Sequence, residues 1–151
     1  MKSRILASTF LLVLFALPIS ADAGKLLEAT VGVPRDTRVD LDLAYEKSTF
    51  LWVESHNDPQ PSDVAEAKER YPKDVTFVLL RFHYRNADYV KHKVKIRAIL
   101  LDAGDGVLGE GGRSGSLDAQ TTDDTLTFPM KVKTLDWPKA TKMKLVVTFL
   151  S

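Results

Sequence analysis

The sequence contains no cysteine. The chain therefore forms no disulfide bond and offers neither a thiolate nucleophile nor a thiolate metal ligand. A lipid-anchored bacterial lipoprotein is also excluded, because such an anchor is attached to an N-terminal cysteine. The fold must be stabilised by its hydrophobic core, which a chain of 151 residues is long enough to bury.

Histidine is scarce as well, with three in the chain. His56, His83 and His92 lack the short spacings of common metal-binding motifs. Beyond the initiator, the two methionines, Met130 and Met143, are too few soft ligands for a copper site. We therefore expect no bound metal and no other cofactor.

Recognisable catalytic motifs are missing. The Gly-Arg-Ser-Gly segment at residues 112–115 does not have the Gly-x-Ser-x-Gly spacing of a nucleophile elbow. The acidic segment at residues 102–106 is no EF-hand loop, because Ala103 and Gly104 supply no side-chain oxygen. Nothing in the arrangement of the other acids selects a pair for glycoside hydrolysis. The sequence predicts a protein that is not an enzyme.

An excess of charge of one sign is nearly absent, since the formal net charge of the whole chain is +1. Removal of a leader containing Lys2, Arg4 and Asp22 leaves equal numbers of basic and acidic residues. This balance argues against a nucleic-acid binder that relies on overall electrostatic attraction.

The one long apolar run, at residues 10–17, belongs to a predicted secretory signal peptide. Two basic residues precede the run, and an Ala-Asp-Ala segment ends at residue 23. The run is too short to span the roughly 30 Å of bilayer hydrocarbon. We predict a signal peptide at residues 1–23 and a single domain at residues 24–151. The product is expected in a periplasm or outside the cell, without stable membrane insertion after cleavage.

The segment at residues 75–102 predicts two long antiparallel strands joined by a short loop. Apolar residues alternate with polar ones, which is the spacing of strands with one buried face. The apolar positions are Val78, Leu80, Phe82 and Tyr84 in the first strand and Val94, Ile96, Ala98 and Leu100 in the second. We expect the two strands to pair with each other, because setting Phe82 opposite Val94 keeps charges off the buried face.

The same register orients the two nearest histidines. His83 falls on the outward face, whereas His92 falls inward, opposite Tyr84. We therefore expect the two imidazoles on opposite faces of the sheet.

Similar alternation marks further strands along the chain. The apolar positions are Val39, Leu41, Leu43 and Tyr45, then Leu126, Phe128, Met130 and Val132, then Met143, Leu145, Val147 and Phe149. A capping-box pattern at Asp63 and Glu66 predicts one short helix, through Arg70, in a crossover connection. About seven or eight short strands with almost no helix predict an all-β fold, an immunoglobulin-like antiparallel β-sandwich.

Residues 109–116 contain four of the eight glycines in the chain. We interpret this segment as a mobile surface loop, because glycine leaves the backbone unusually free and loops often carry binding residues. The loop is one candidate for contact with a partner.

Charge segregation provides the other candidate binding surface. Basic residues occupy the outward positions of the predicted strands, whereas most acids lie in connections. We predict a basic sheet face formed by Arg81, Lys93, Lys95, Arg97, Lys131 and Lys133, with Lys142 and Lys144 on the last strand. Such a face would suit an anionic surface such as lipid head groups, lipopolysaccharide or acidic glycan. Ordinary solvated strands with lysines protecting exposed edges would give the same pattern.

The segment at residues 98–102 resembles a strand end in small secreted bacterial β-sandwich modules of the FxLYD type. The matching residues are Asn86, Leu100, Asp102 and Gly106. Ala98 stands where that family has phenylalanine, and Leu101 stands where it has tyrosine. The resemblance covers residues 75–132. It implies a β-sandwich with an accessory or interaction role and no general catalytic role.

These features together predict an exported, non-catalytic module that binds a protein or an anionic envelope component. An alternative is a periplasmic carrier of a small molecule or metal, with a pocket around Trp52, Tyr84 and His92. A purely structural accessory domain is the third possibility. The three differ in what they bind, and the sequence names no specific partner.

Overall fold

A computed structural model describes residues 24–35, 37–56 and 74–150. The predicted signal peptide and the predicted short helix lie outside these residues. Within them the chain forms eight β-strands and one turn of 3-10 helix, and no helix is long and apolar enough to cross a bilayer. The strands are β1 (Lys25–Gly32), β2 (Val39–Tyr45), β3 (Ser48–His56), β4 (Val75–Asn86), β5 (His92–Leu101), β6 (Val107–Leu117), β7 (Thr121–Lys133) and β8 (Lys142–Leu150), and the 3-10 turn is Trp137–Lys139.

All eight strands belong to one hydrogen-bonded sheet, in the order β1-β8-β5-β6-β7-β4-β3-β2. Every paired strand runs antiparallel to its neighbour. The sheet curls until its two edge strands, β1 and β2, come into contact, so that it is nearly closed into a barrel. The prediction of an all-β antiparallel fold is confirmed. The finer prediction, a two-sheet sandwich of immunoglobulin type, is not.

The inward faces of the strands form one core, and the alternation read from the sequence is confirmed there. The buried residues include Val78, Leu80, Phe82, Tyr84, Val94, Ile96, Ala98, Leu100, Phe128, Met130, Val132, Met143, Leu145, Val147 and Phe149. Burying each large apolar side chain contributes about 1.5–3 kcal/mol. This single cluster stabilises the fold without disulfide bonds.

The prediction that β4 pairs with β5 is wrong. β4 pairs with β3 and β7, whereas β5 pairs with β6 and β8. Phe82 faces Val53 and Leu126, and Val94 faces Gly115 and Phe149. Alternation with period 2 determines which face of a strand is buried, but many partner strands satisfy the same pattern.

The connection between β4 and β5 is an arch that crosses the barrel end, and Asn86 fixes its shape. The buried Asn86 amide donates to the carbonyl oxygens of Val90 (2.9 Å) and Leu117 (3.3 Å). Its Oδ1 accepts from the backbone N–H of Asp88 (3.0 Å) and from the hydroxyl of the buried Ser48 (3.1 Å). These four bonds satisfy the hydrogen-bond donors and the acceptor oxygen of the Asn86 amide. The arch therefore has a defined conformation in place of a hairpin turn.

The glycine-rich segment predicted to be a mobile loop is part of strand β6, and that prediction is wrong. Glycine is required here by close packing, because a Cβ on Gly112 would lie 2.5 Å from the carbonyl oxygen of Ile96. A Cβ on Gly109 would lie 2.8 Å from the carbonyl oxygen of Lys131. The described glycines all avoid the left-handed region, so their missing side chain matters more than their flexibility.

Trp137 lies at the end of the barrel opposite the β4–β5 arch. Its buried indole lies under the Arg35 guanidinium, whose carbon is 4.7 Å from the ring centroid. Arg35 donates hydrogen bonds to the carbonyl oxygens of Trp137 and Ala140. The segment after β1 is thereby joined to the segment before β8.

Candidate functional site

The strongest cluster of predicted binding residues lies on strand β5. Lys93, Lys95 and Arg97 are exposed and alternate with the buried residues of the same strand. Their outward orientation follows from the inward packing of Val94 and Ile96. Three cationic side chains therefore project from one strand at intervals of two residues.

Strand β6, the neighbour of β5, places small residues beside these cations. In the ladder, Lys93 faces Ser116, Lys95 faces Ser114, and Arg97 faces Gly112. The short side chains of β6 leave an open surface groove of about 410 Å³. Its lining residues are Lys95, Ile96, Arg97, Glu110, Gly111, Gly112, Arg113 and Ser114. The basic face and the glycine-rich segment, predicted as separate surfaces, thus form one groove.

The groove has an excess of positive charge. Arg97 Nη2 lies 2.6 Å from Glu110 Oε2, which offsets one of its cations. Arg113 Nη1 donates a 2.8 Å hydrogen bond to the Thr127 carbonyl oxygen, a neutral acceptor that leaves its charge uncompensated. Lys95 makes no ion pair within the described part of the chain. Three cations and one carboxylate therefore line an open, solvent-accessible depression.

The other predicted basic residues lie elsewhere on the sheet. Lys131 and Lys133 are exposed on β7, which β6 separates from β5. Lys131 faces Glu110 across the short β6–β7 ladder. Arg81 lies on β4, where its Nη1 is 3.3 Å from Glu54 Oε1. The structure therefore brings Lys93, Lys95 and Arg97 together but does not extend the cluster over the three remaining positions.

The last strand adds two cations that have anionic partners. Lys142 Nζ lies 2.6 Å from Asp105 Oδ1. Lys144 Nζ lies 3.5 Å from Glu28 Oε1. These exposed pairs offset the positive charge of Lys142 and Lys144.

A second polar cluster surrounds His83 on the outward side of β4. Its Nε2 lies 3.2 Å from Glu54 Oε1, and its Nδ1 lies 3.1 Å from Asp123 Oδ1. Both ring nitrogens of His83 are therefore within hydrogen-bond distance of a carboxylate oxygen. Partial burial alone would raise the pKa of Glu54, but the hydrogen bond with His83 and the nearby basic side chains of His83, His56 and Arg81 together hold that pKa below its usual value.

Trp52 covers this cluster. The indole stacks on the His83 imidazole with centroids 4.4 Å apart and planes 20° apart. The guanidinium carbon of Arg38 lies 4.7 Å from the centroid of the indole. With its imidazole stacked and both ring nitrogens engaged, His83 stabilises the sheet surface and is poorly placed to accept a proton from a substrate.

The three residues of the predicted carrier pocket are not brought together. Trp52 stacks on the outward His83, whereas Tyr84 is buried in the core. His92 faces Leu117 in the ladder, so the prediction that it lies opposite Tyr84 is wrong. The correction follows from the strand order, since β4 and β5 are not neighbours.

The structure reveals a group that sequence spacing did not indicate. Glu46, Asp88 and His92 place one ligand-type atom each within 4.8 Å of one another. Asp88 and His92 are four residues apart, but they lie in an arch and a strand, where that spacing carries no helical meaning. Glu46 comes from a distant turn, so only the three-dimensional fold identifies it as a neighbour.

The residues that carry the FxLYD resemblance have structural roles here. Leu100 is buried in the core, and Asn86 fixes the β4–β5 arch. Asp102 Oδ1 accepts hydrogen bonds from the backbone N–H groups of Gly104 (2.9 Å) and Gly106 (2.8 Å). These bonds stabilise the β5–β6 turn, as expected for an aspartate at this position.

The comparisons with known proteins leave the chain without an assigned family. The sequence matches no protein-family model, and no curated protein resembles it at a significant level. The function must therefore be argued from the sites themselves.

Proposed function

We propose that this protein is an exported, non-catalytic module that binds an anionic component of the cell envelope through the β5–β6 groove. One observation carries the proposal: the small residues of β6 lie opposite Lys93, Lys95 and Arg97 in the ladder. Long cationic side chains next to a shallow groove allow a phosphate- or carboxylate-bearing chain to approach the backbone closely.

The location of the protein and its fold family belong to the same proposal. A signal peptide at residues 1–23 would deliver the domain to a periplasm or the cell exterior, where anionic lipids and glycans are available. An immunoglobulin-like or FxLYD-type accessory module would suit the role, since such modules work by contact. The uncompensated cations of the groove support binding without implying any chemical step.

Charge reversal in the groove tests the proposal. The variant Lys95→Glu/Arg97→Glu, at two lining positions, should bind vesicles containing anionic lipid or lipopolysaccharide at least about tenfold more weakly than the unaltered protein, because each basic residue near an anionic surface contributes about 1 kcal/mol. Vesicle co-sedimentation in 50 mM and 200 mM salt gives the measurement. Binding by the unaltered protein should also fall as salt rises.

A matched control separates the groove from net charge. The variant Lys25→Glu/Arg85→Glu makes the same change in total charge at exposed positions outside the groove. It should lose much less affinity than the groove variant. Equal losses in the two variants, or retention of a specific protein instead of the anionic component, would contradict the proposal.

A further inference from the structure

Three potential metal ligands converge at the barrel end that carries the β4–β5 arch. Glu46 belongs to the turn between β2 and β3, Asp88 to the arch, and His92 to the start of β5. One nitrogen and two carboxylate oxygens lie within 4.8 Å of one another. Ligands bound to one ion at about 2.0–2.2 Å lie roughly 3–4 Å apart, so small side-chain adjustments would complete the coordination.

Asp88 and His92 are already oriented toward each other. The backbone N–H of Tyr89 donates a 2.7 Å hydrogen bond to Asp88 Oδ1. Asp88 Oδ2 then faces His92 Nε2 at 3.1 Å. The His92 side chain is 14% exposed and presents its ring edge-on to Phe149, with centroids 6.3 Å apart. Both ligands therefore have restricted rotamers before any ion binds.

The residue before Glu46 also packs near this group. The Tyr45 ring packs on Phe149 with centroids 4.9 Å apart. Phe149 therefore contacts both the neighbour of Glu46 and the imidazole of His92.

Main-chain hydrogen bonds tie the ligand-bearing segments together. The N–H of Ala87 donates to the carbonyl oxygen of Lys47 (3.0 Å), next to Glu46. The N–H of Gln120 donates to the carbonyl oxygen of Asp88 (2.9 Å). The ligands are thus presented by connected segments of ordered backbone, which lowers the ordering cost of binding an ion.

The local charge also favours a cation. Glu46 and Asp88 contribute two negative charges when ionised, and Lys47 supplies one nearby positive charge. A divalent ion would offset the charge of the two carboxylates.

We propose that Glu46, Asp88 and His92 form a three-ligand site for a divalent transition metal ion such as Zn²⁺ or Mn²⁺. One imidazole and two carboxylates suit these ions, whereas Ca²⁺ and Mg²⁺ prefer oxygen ligands alone. Water would occupy the remaining coordination positions. The site lies at the barrel end and is independent of the anion-binding groove between β5 and β6.

Calorimetric titration of untagged, chelator-treated protein with Zn²⁺, and separately with Mn²⁺, tests the proposal. We expect one equivalent of at least one ion to bind. The variants Glu46→Gln and His92→Ala should weaken that binding by about 100-fold or more, since even indirect partners of metal ligands are worth about 10–100-fold. Glu46→Gln changes an exposed turn residue and keeps its size, so it tests the site without disturbing the core.

A carboxylate beside another histidine provides the control. Asp123→Asn alters the partner of His83 on the outward sheet surface and should leave the affinity and stoichiometry unchanged. A metal-dependent rise in melting temperature should appear in the unaltered protein and in Asp123→Asn but be lost in Glu46→Gln. Absence of stoichiometric binding of both ions, or equal affinities in Glu46→Gln and the unaltered protein, would overturn the proposal.

Discussion

Glu54 Oε1 lies 3.2 Å from His83 Nε2, and this contact joins β3 to β4 on the outer surface of the sheet. The same carboxylate oxygen lies 3.3 Å from Arg81 and 3.7 Å from His56. One partly exposed acid therefore contacts three basic side chains. Its ionisation links the charge of this surface to the stability of the fold.

Glu54→Gln should reduce the free energy of unfolding by about 0.5–1 kcal/mol at pH 6. Because the pKa of Glu54 is lowered in the folded protein, its contribution is present above the usual value near 4.5. It is lost as the pH falls through the lowered value, so the variant and the unaltered protein should converge in acid. Urea unfolding across this range measures the difference.

Asp40→Asn is the matched control for Glu54→Gln. Asp40 pairs with Arg38 at 3.4 Å, but both side chains are highly exposed. The change should have an effect of only about 0.3 kcal/mol or less at any of these pH values. A difference between Glu54→Gln and the unaltered protein that persists unchanged at pH 3 would contradict the assigned role of Glu54.

Gly112→Ala should lower the free energy of unfolding by about 1–3 kcal/mol, because the added methyl group would meet the Ile96 carbonyl oxygen. Gly32→Ala is the control, since nothing lies within 4 Å of a Cβ at that position. There the effect should be close to zero or slightly stabilising. Thermal or urea unfolding compares the two, and equal destabilisation would show that strand β6 does not require close packing.

Asn86→Ala should destabilise the protein by about 2–4 kcal/mol, because the buried Ser48 hydroxyl and the carbonyl groups of Val90 and Leu117 would lose their partner. Urea unfolding measures the loss. Hydrogen exchange at the Asp88 amide, which donates to Asn86, should accelerate more than exchange in the β1–β8 ladder. Uniform acceleration throughout the sheet would argue against a local role in the arch.

Tyr84→Phe should cost about 1 kcal/mol at pH 8, because the phenol donates to Asp124 and accepts from the Asp118 N–H. Burial, reinforced by the Asp124 contact, raises the pKa of Tyr84 despite the opposing Asp118 N–H. The resulting stabilisation is present when the pH is below the usual tyrosine pKa of 10.0. It is lost as the pH rises from there through the raised pKa of Tyr84.

Raising the pH from 8 to 10.5 should therefore lower the free energy of unfolding less in Tyr84→Phe than in the unaltered protein. Unfolding measurements at the two pH values test this. Tyr89→Phe serves as the control, since Tyr89 is 78% exposed. It should behave like the unaltered protein at both pH values. Identical pH dependence in all three proteins would contradict the proposed contribution of Tyr84.

The sequence predicted the faces of the strands better than their neighbours. Val94 and Ile96 were correctly assigned to the core, because alternation reports burial directly. The pairing of Phe82 with Val94 failed, since the arch formed by Asn86 separates two strands that are adjacent in the chain. Hydrogen bonds of that kind depend on segments distant in sequence and leave no local pattern.

The candidate groove shows a similar division. Lys93, Lys95 and Arg97 were identifiable because outward positions of one strand recur every second residue. The glycine content of strand β6 predicts a flexible loop, and this prediction is wrong. Gly112 is required by its close contact with the neighbouring strand β5. The groove required both strands, and its position could therefore not be derived from either segment alone.

The location of β8 between β1 and β5 has a consequence for the timing of folding. Within the described sheet, β1 has no other ladder partner, and β5 remains half-paired until β8 joins it. A chain synthesised from its N-terminus must therefore emerge as far as β8 before this part of the sheet can assemble. Such long-range dependence slows folding, and it would keep the polypeptide translocation-competent during the export proposed for it.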